Sequence, residues 1–228
     1  MRIGVISDVH ANAPALEAVL TRLDTLGVER ILSAGDIVGY YPFPNEAISL
    51  FKGYDIDSVV GNHDAAIIDH SSEDFNITAK RAIDWTRREL STSSLEYLKT
   101  LPLEIDDTIN SNEVYMVHGS PRQQLDEYIW EEDLDKTIID SWFPNNPDLV
   151  ILGHTHRPYE KTVGSTTILN PGSVGQPRDG EPKAAFATVD MGNIEVNRYR
   201  IDYDIDSVVE RTLEFLPREL ADRLYDGR

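Results

Sequence analysis

The sequence predicts a single α/β domain over residues 1–228, and three observations carry that reading. Short β-branched apolar runs recur along the chain, as strands covered on both faces require. Segments with apolar residues three and four positions apart separate them, as amphipathic helices require. Several runs end in a similar cluster of His, Asp and Asn, the best example being Ile56 to Val60 followed by Gly61-Asn62-His63-Asp64. An amide oxygen, an imidazole and a carboxylate then stand at the carboxyl end of a buried strand, where open α/β sheets hold their ligands. Gly-Asn is also ordinary turn chemistry, which would leave His63 merely exposed.

Composition narrows the function. A chain of 228 residues with 40% hydrophobic and 27% charged residues suits a globular protein with one substantial core. No apolar run approaches the ~20 residues that cross a bilayer. Met1 to Ile6 enters a strand pattern at once, without an apolar signal region and cleavage site, so a cytoplasmic location without membrane partners is expected. With no cysteine, neither a disulfide framework nor a thiolate zinc site can form, and any metal must take nitrogen and oxygen ligands. A formal charge of -19 opposes binding to duplex nucleic acid. Arg exceeds Lys 15 to 6 and Asp exceeds Glu 23 to 17, a bias consistent with a halophilic, acidic surface.

Taken in order, Arg2 to Ser7 reads as a buried strand leading into Asp8-Val9-His10. In an extended segment residues two apart point the same way, so Asp8 and His10 would grip one ion together. Asn12 as cap and Pro14 in the first turn open a helix through Leu16, Val19, Leu20, Leu23 and Leu26 that stops at Gly27. Arg30 to Ala34 is the next strand, ending at Gly35-Asp36, and a helix follows from about Pro44 to Phe51. Ser72 to Leu101 looks helical in two pieces. Leu103 to Ile109 and Glu113 to Val117 read as paired strands, the second ending in His118-Gly119. Leu125 to Phe143 is partly helical and acidic, and Asp148 to Leu152 is a strand ending in Gly153-His154-Thr155-His156. Hairpins over Tyr159 to Val163, Thr166 to Leu169, Ala184 to Asp190 and Ile194 to Arg200 follow, with a glycine-rich loop, Asn170 to Gly175, that could approach the site by backbone. Ile205 to Leu224 closes the chain with helix interrupted at Pro217.

Five of the six histidines fall at these strand ends, while His70 has no metal-like neighbours and reads as a loop residue without a role. Asp8, His10, Asp36, Asn62, His118, His154 and His156 supply enough oxygen and nitrogen for two divalent ions, provided one carboxylate bridges. Asp36 is the best bridge, because a shared carboxylate holds ions ~3.5–4 Å apart and offsets their repulsion. Two such ions would lower the pKa of a shared water, whose hydroxide attacks phosphorus in line without a covalent intermediate. His63, adjacent to a ligand but spare in the count, would protonate the leaving oxygen.

These motifs, DxH, GD, GNHD, a lone His before Gly, and GHTH, resemble in that order the calcineurin-like metallophosphoesterases, over about residues 1 to 200. The resemblance implies a four-layer αββα sandwich of two mixed β-sheets flanked by helices. It implies that Asp8, His10, Asp36 and His156 hold one ion and Asp36, Asn62, His118 and His154 the other, with His63 as proton donor. The family works with manganese, iron, zinc or nickel, and manganese is the expected pair of ions here. The chain is most similar to the small prokaryotic phosphodiesterase branch, which shares the loop Asn170-Pro171-Gly172-Ser173. Protein phosphatases and symmetrical diadenosine tetraphosphate hydrolases look instead like GDxVDRG and GNHE, with an arginine that clamps phosphate. Here Gly39-Tyr40 and Asp64 stand at those places, so Arg122, Arg157 and Arg178, each just after a motif, become the candidate substrate-binding residues.

The expected activity is hydrolysis of a small phosphodiester or nucleotide by a two-metal centre, with weaker monoesterase activity. The alternatives are a phosphomonoesterase or a protein or nucleotide phosphatase, then a nuclease, which the charge opposes. A non-catalytic interaction module, like the retromer subunit that resembles this fold, stands last, since that subunit departs from the catalytic positions this chain keeps. The expected partner is a small phosphoester, and a homo-oligomer is compatible with the sequence.

Overall fold

The computed structural model describes residues 1–69, 71–73 and 75–228, so the expectation for His70 lies outside the described residues. Strand β1, Arg2–Ile6, leads through the Asp8 loop to helix α1, Ala13–Thr25. The Asn12 side chain accepts the Ala15 N–H, so the predicted cap forms, and Leu16, Val19, Leu20 and Leu23 bury one face. Strand β2, Arg30–Ser33, and helix α2, Pro44–Gly53, match their expected spans closely.

The third strand does not. Of Ile56 to Val60 only β3, Asp57–Ser58, pairs in the sheet, and Asn62 already opens helix α3, Asn62–Asp69. Asn62, His63 and Asp64 therefore lie in a first helical turn, where neither the strand-end nor the turn reading set them. The reason is local: Asp36 Oδ1 accepts the His63 N–H at 2.9 Å and Asp64 accepts the Gly61 N–H at 3.1 Å, satisfying amides that a helix start leaves free.

The expected helical stretch from Ser72 begins later, as α4, Ile77–Glu89, because Asn76 caps Ala79; Ser91 then caps α5, Thr92–Leu98. Strands β4, Glu104–Ile109, and β5, Asn112–Val117, form a hairpin whose two central residues, Asn110 and Ser111, have φ of 50° and 69°. That is the twist a two-residue hairpin turn requires. A 3-10 turn at Glu131–Asp133, α6, Lys136–Trp142, and β6, Leu149–Ile151, follow. The chain ends with β7, Tyr159–Val163, β8, Thr166–Asn170, β9, Ala184–Asp190, and β10, Glu195–Ile201. Helices α7, Ile205–Phe215, and α8, Arg218–Asp226, break at Pro217 as expected.

The strands make two mixed five-stranded sheets, in the orders β10-β9-β1-β2-β3 and β4-β5-β6-β8-β7. Ile3, Val5, Leu32, Ala187 and Val189 of the first pack on Val114, Met116, Leu149, Ile151 and Leu169 of the second, and water is excluded between them. The outer face of the first sheet is covered by α1 and α2 through Leu16, Leu20, Ile48 and Phe51, and that of the second by Leu134 and Ile139 around α6. Each fully buried Leu, Ile or Phe of this kind contributes ~1.5–3 kcal/mol. The αββα sandwich is thus the observed architecture. Among the described residues no helix is long and apolar enough to cross a membrane. Parallel pairing of β1 with β2 and of β5 with β6 sends the loops after all four strands to one edge.

Candidate metal centre

At that edge the backbone is kinked, where the sequence reading had extended segments. Asp8, His10 and Ala11 have φ of 53°, 51° and 61°, Asp36 has 55°, and His154 and His156 have 65° and 58°. Each left-handed residue costs of order 1 kcal/mol. Loop pairing holds them: the N–H groups of Asp8, His10 and Ala11 donate to the carbonyls of Gly35, Asp36 and Ile37 at 2.8–3.0 Å. Two glycines allow the close approach. A Cβ on Gly61 would lie 2.1 Å from Asp36 Oδ1, and one on Gly175 would lie 1.9 Å from the Val9 carbonyl. The glycine-rich loop therefore buttresses the Asp8 loop from behind, with Gly175 N–H and Ser173 Oγ both donating to the Asp8 carbonyl.

The structure brings all seven ligand candidates together in two groups. In one, His10 Nε2 and His156 Nε2 are 3.1 Å apart, and Asp8 Oδ1 lies 3.3 Å from His156 Nε2 and 3.8 Å from His10 Nε2. In the other, His118 Nε2 lies 3.1 Å from His154 Nδ1 and 3.2 Å from Asn62 Oδ1. Asp36 Oδ2 sits between them, 3.5 Å from His10 Nε2 and 3.5 Å from His118 Nε2. His154 and His156 divide between the two groups, as the resemblance implied, with left-handed backbone at both. His63 is less separate than its spare place in the count suggested: its ring shares a 4.8 Å neighbourhood of ligand atoms with His10 and Asp36.

The donor chemistry fits divalent cations. His118 Nδ1 donates to the Ala34 carbonyl at 2.7 Å and His156 Nδ1 to the Gln176 carbonyl at 2.6 Å, so both rings turn a bare Nε2 lone pair inward. Lone pairs then face lone pairs. Both oxygens of Asp8 are buried without a hydrogen-bond partner. Buried acceptors gathered without a donor cost free energy that a shared cation removes.

A family model described as the calcineurin-like phosphoesterase superfamily domain matches residues 1–193. The chain belongs to that superfamily. This phosphoesterase is 37% identical to a metallophosphoesterase from Sphaerobacter thermophilus, whose crystal structure superposes with a TM-score of 0.85 over 100% of this chain and 99% of that one. It is 35% identical to the uncharacterized protein MJ0912 of Methanocaldococcus jannaschii, over 99% of this chain and 98% of the relative. It is 24% identical to phosphodiesterase YfcE of Escherichia coli K12, over 86% of this chain and 91% of that relative. Membership makes it one of the phosphoric ester hydrolases, and its buried His/Asp clusters are of the kind that bind divalent metal.

Burial governs protonation in the phosphoesterase centre. It pushes Asp8 up to about 7 and raises Asp36, while it drives His10, His63 and His156 down and His154 to about 2. The metal-free cluster thus favours neutral imidazoles and, below about pH 7, a protonated Asp8, whose proton a cation must expel. Metal loading near pH 6 is expected to release about one more proton than loading near pH 8.5, from Asp8. Calorimetry in buffers of different ionisation enthalpy measures this count, and a count independent of pH would exclude Asp8 from the binding set.

One residue that the motifs included without a site role ties the loops together. Asp64, fully buried, accepts the N–H groups of Ile37, Val38 and Gly61 at 3.0–3.1 Å, while Asp36 reaches back to His63 N–H. Its signal was its place beside His63 in a motif whose other members are ligand candidates. The three arginines separate. Arg178 lines a cleft of about 540 Å³ together with Asp36, Asn62, His63, His154 and His156. Arg122 is ion-paired with Glu127 at 2.6 Å beside Trp142, and Arg157 lies over Trp130, both outside that lining. Of the aromatic residues near the motifs, Tyr40 and Tyr128 line the cleft, whereas Tyr41 is buried behind it.

Proposed function

We propose that the chain is a phosphodiesterase that hydrolyses a small phosphodiester or nucleotide with two divalent ions, manganese foremost. The observation that carries the reading is Asp36 Oδ2, equidistant at 3.5 Å from a ring nitrogen of each donor group, as a shared ligand must be. Asp8, His10, Asp36 and His156 would hold one ion, and Asp36, Asn62, His118 and His154 the other. Bound there, divalent ions supply Lewis acidity toward phosphoryl oxygens and make water nucleophilic at neutral pH.

The remaining chemistry belongs to the side chains around the cleft. Arg178 is the one arginine or lysine among its described lining residues, and it would draw the phosphate anion to the donor groups. His63, on the same lining, would give a proton to the departing alcohol. Burial first, and Arg178 second, hold its pKa down in the free protein, and an anionic phosphate beside the ring acts in the opposite direction. The relationship to an Escherichia coli phosphodiesterase supports a diester substrate. A single cationic side chain in a cleft that also carries Asp69 and Asp126 suits a small phosphoester better than a nucleic-acid strand.

The experiment is release of nitrophenol from bis(p-nitrophenyl) phosphate after chelator treatment and reloading with manganese, iron, zinc or nickel. Turnover restored most by manganese and exceeding that of p-nitrophenyl phosphate is the expected result. Equal turnover in chelator would exclude the metal-dependent mechanism.

A further inference from the structure

The neighbour of Arg178 that fixes its guanidinium is a neutral amide. Gln176 is 1% exposed and every polar atom it owns is engaged. Its backbone N–H donates to Ser173 Oγ at 2.7 Å, and its carbonyl accepts from the ligand candidate His156 at 2.6 Å. Its side-chain Oε1 accepts from Arg178 Nη2 at 2.8 Å and Nε at 3.2 Å. Its Nε2 donates to the Tyr41 hydroxyl at 3.0 Å, which in turn donates to the Leu220 carbonyl.

The adjacent acid, Asp179, is paired with Arg200, and among the described residues no carboxylate lies within ion-pairing distance of Arg178. A carboxylate in place of the amide would hold the guanidinium as firmly but cancel its charge; the amide orients it and leaves the charge intact. No protein acceptor among the described residues takes Arg178 Nη1, so that edge is left to a ligand.

We propose that Gln176 is a positioning residue that holds Arg178 as an oriented, uncompensated cation for the substrate phosphate. The inference rests on the phosphoesterase reading of the cleft and extends it to how the anion is recognised. Its backbone contacts to Ser173 and His156 do not depend on the side chain, so substitution separates the two roles.

The test uses metal-loaded wild type, Gln176→Leu, Gln176→Glu, Arg178→Ala and the double variant Gln176→Leu/Arg178→Ala. KM and kcat are read with bis(p-nitrophenyl) phosphate, and binding of inorganic phosphate is read by calorimetry on the same preparations, with metal content determined. Gln176→Leu and Arg178→Ala are each expected to raise KM about 10-fold with kcat within about 3-fold, the scale of one hydrogen bond to a charged group. Gln176→Glu, which keeps an acceptor in place, is expected to raise KM equally. The double variant should bind no worse than Arg178→Ala alone.

Multiplying losses in the double variant, an unchanged KM in Gln176→Leu, or tighter phosphate binding by Gln176→Glu would each overturn the proposal. Loss of metal at unchanged KM would do the same, since it would make Gln176 a support of His156 only. If the wild type hydrolyses no phosphoester, the functional reading fails, while phosphate affinity across the same variants still decides whether Gln176 acts through Arg178.

Discussion

Asp36→Asn is expected to lower phosphoester turnover by at least about a thousandfold and at the same time to raise the melting temperature of the metal-free protein. The two effects have one cause. Asp36 is 1% exposed, and burial first and the nearby Asp64 carboxyl second raise its pKa. A carboxyl whose folded pKa lies above its unfolded value lends its full stability only below the unfolded pKa, and that contribution is lost as pH rises through the folded one. As pH rises above the ordinary carboxylate range, Asp36 therefore weakens the metal-free fold, either by holding a proton that the unfolded chain has released or by burying its charge. Asparagine keeps an oxygen for the His63 N–H, now accepted by Asp36 Oδ1 at 2.9 Å, and carries no charge to bury. At this chain length each kcal/mol recovered raises the melting temperature by roughly 2–4 °C. With metal present the order reverses, because the variant has lost the one oxygen poised between His10 and His118. Scanning calorimetry with chelator and with manganese reads both signs. Metal-induced stabilisation as large in the variant as in wild type would remove Asp36 from the shared position.

What could be read from the sequence divides by the range of the interactions involved. The strands over Arg2–Ile6, Arg30–Ser33 and Leu149–Ile151 were legible because burial on both faces writes itself as a continuous apolar run. The caps at Asn12 and the break at Pro217 are encoded within four residues of where they act. The ligand candidates were legible because strand ends on one edge collect them. Their geometry was not. The left-handed φ at Asp8, His10, Asp36, His154 and His156 is imposed by loops from distant strands, and residue spacing alone encodes none of it; the parting of His154 from His156 was legible only through the family resemblance. The same holds for β3, cut to two residues by side-chain caps from Asp36 and Asp64. The division of strands between sheets is longer-range still, since β1 pairs with β9 from the far end of the chain. Gln176 carries no periodicity and no motif, and only its partners reveal it, whereas Asp64 was marked by its motif but not by the amides it holds.

His63→Asn is expected to lower kcat by about 10²–10⁴ for a diester with an alkyl leaving group, yet by far less for bis(p-nitrophenyl) phosphate, with metal content retained. Alkoxide is a strong base and cannot depart without a proton, whereas nitrophenolate leaves unaided, so the contrast isolates proton donation from every other role. The ring is held for such a task. It lies 4.4 Å from the Tyr40 ring, 4.9 Å from Phe75 and 4.8 Å from His10, and Gly39 makes the room, because a Cβ there would lie 2.5 Å from His63 Nδ1. Burial, Arg178 and His118 all push its pKa down, so the proton it donates must be stabilised by the bound anion. The wild-type rate on the alkyl diester should then fall as pH rises through the pKa of the substrate complex, a limb that the variant and the nitrophenyl substrate both lack. The competing role is as a ligand, given the closeness of His10, Asp36 and His63. A ligand would betray itself differently: metal content would drop in the variant, and both substrates would suffer alike, because lost Lewis acidity is felt whatever the leaving group.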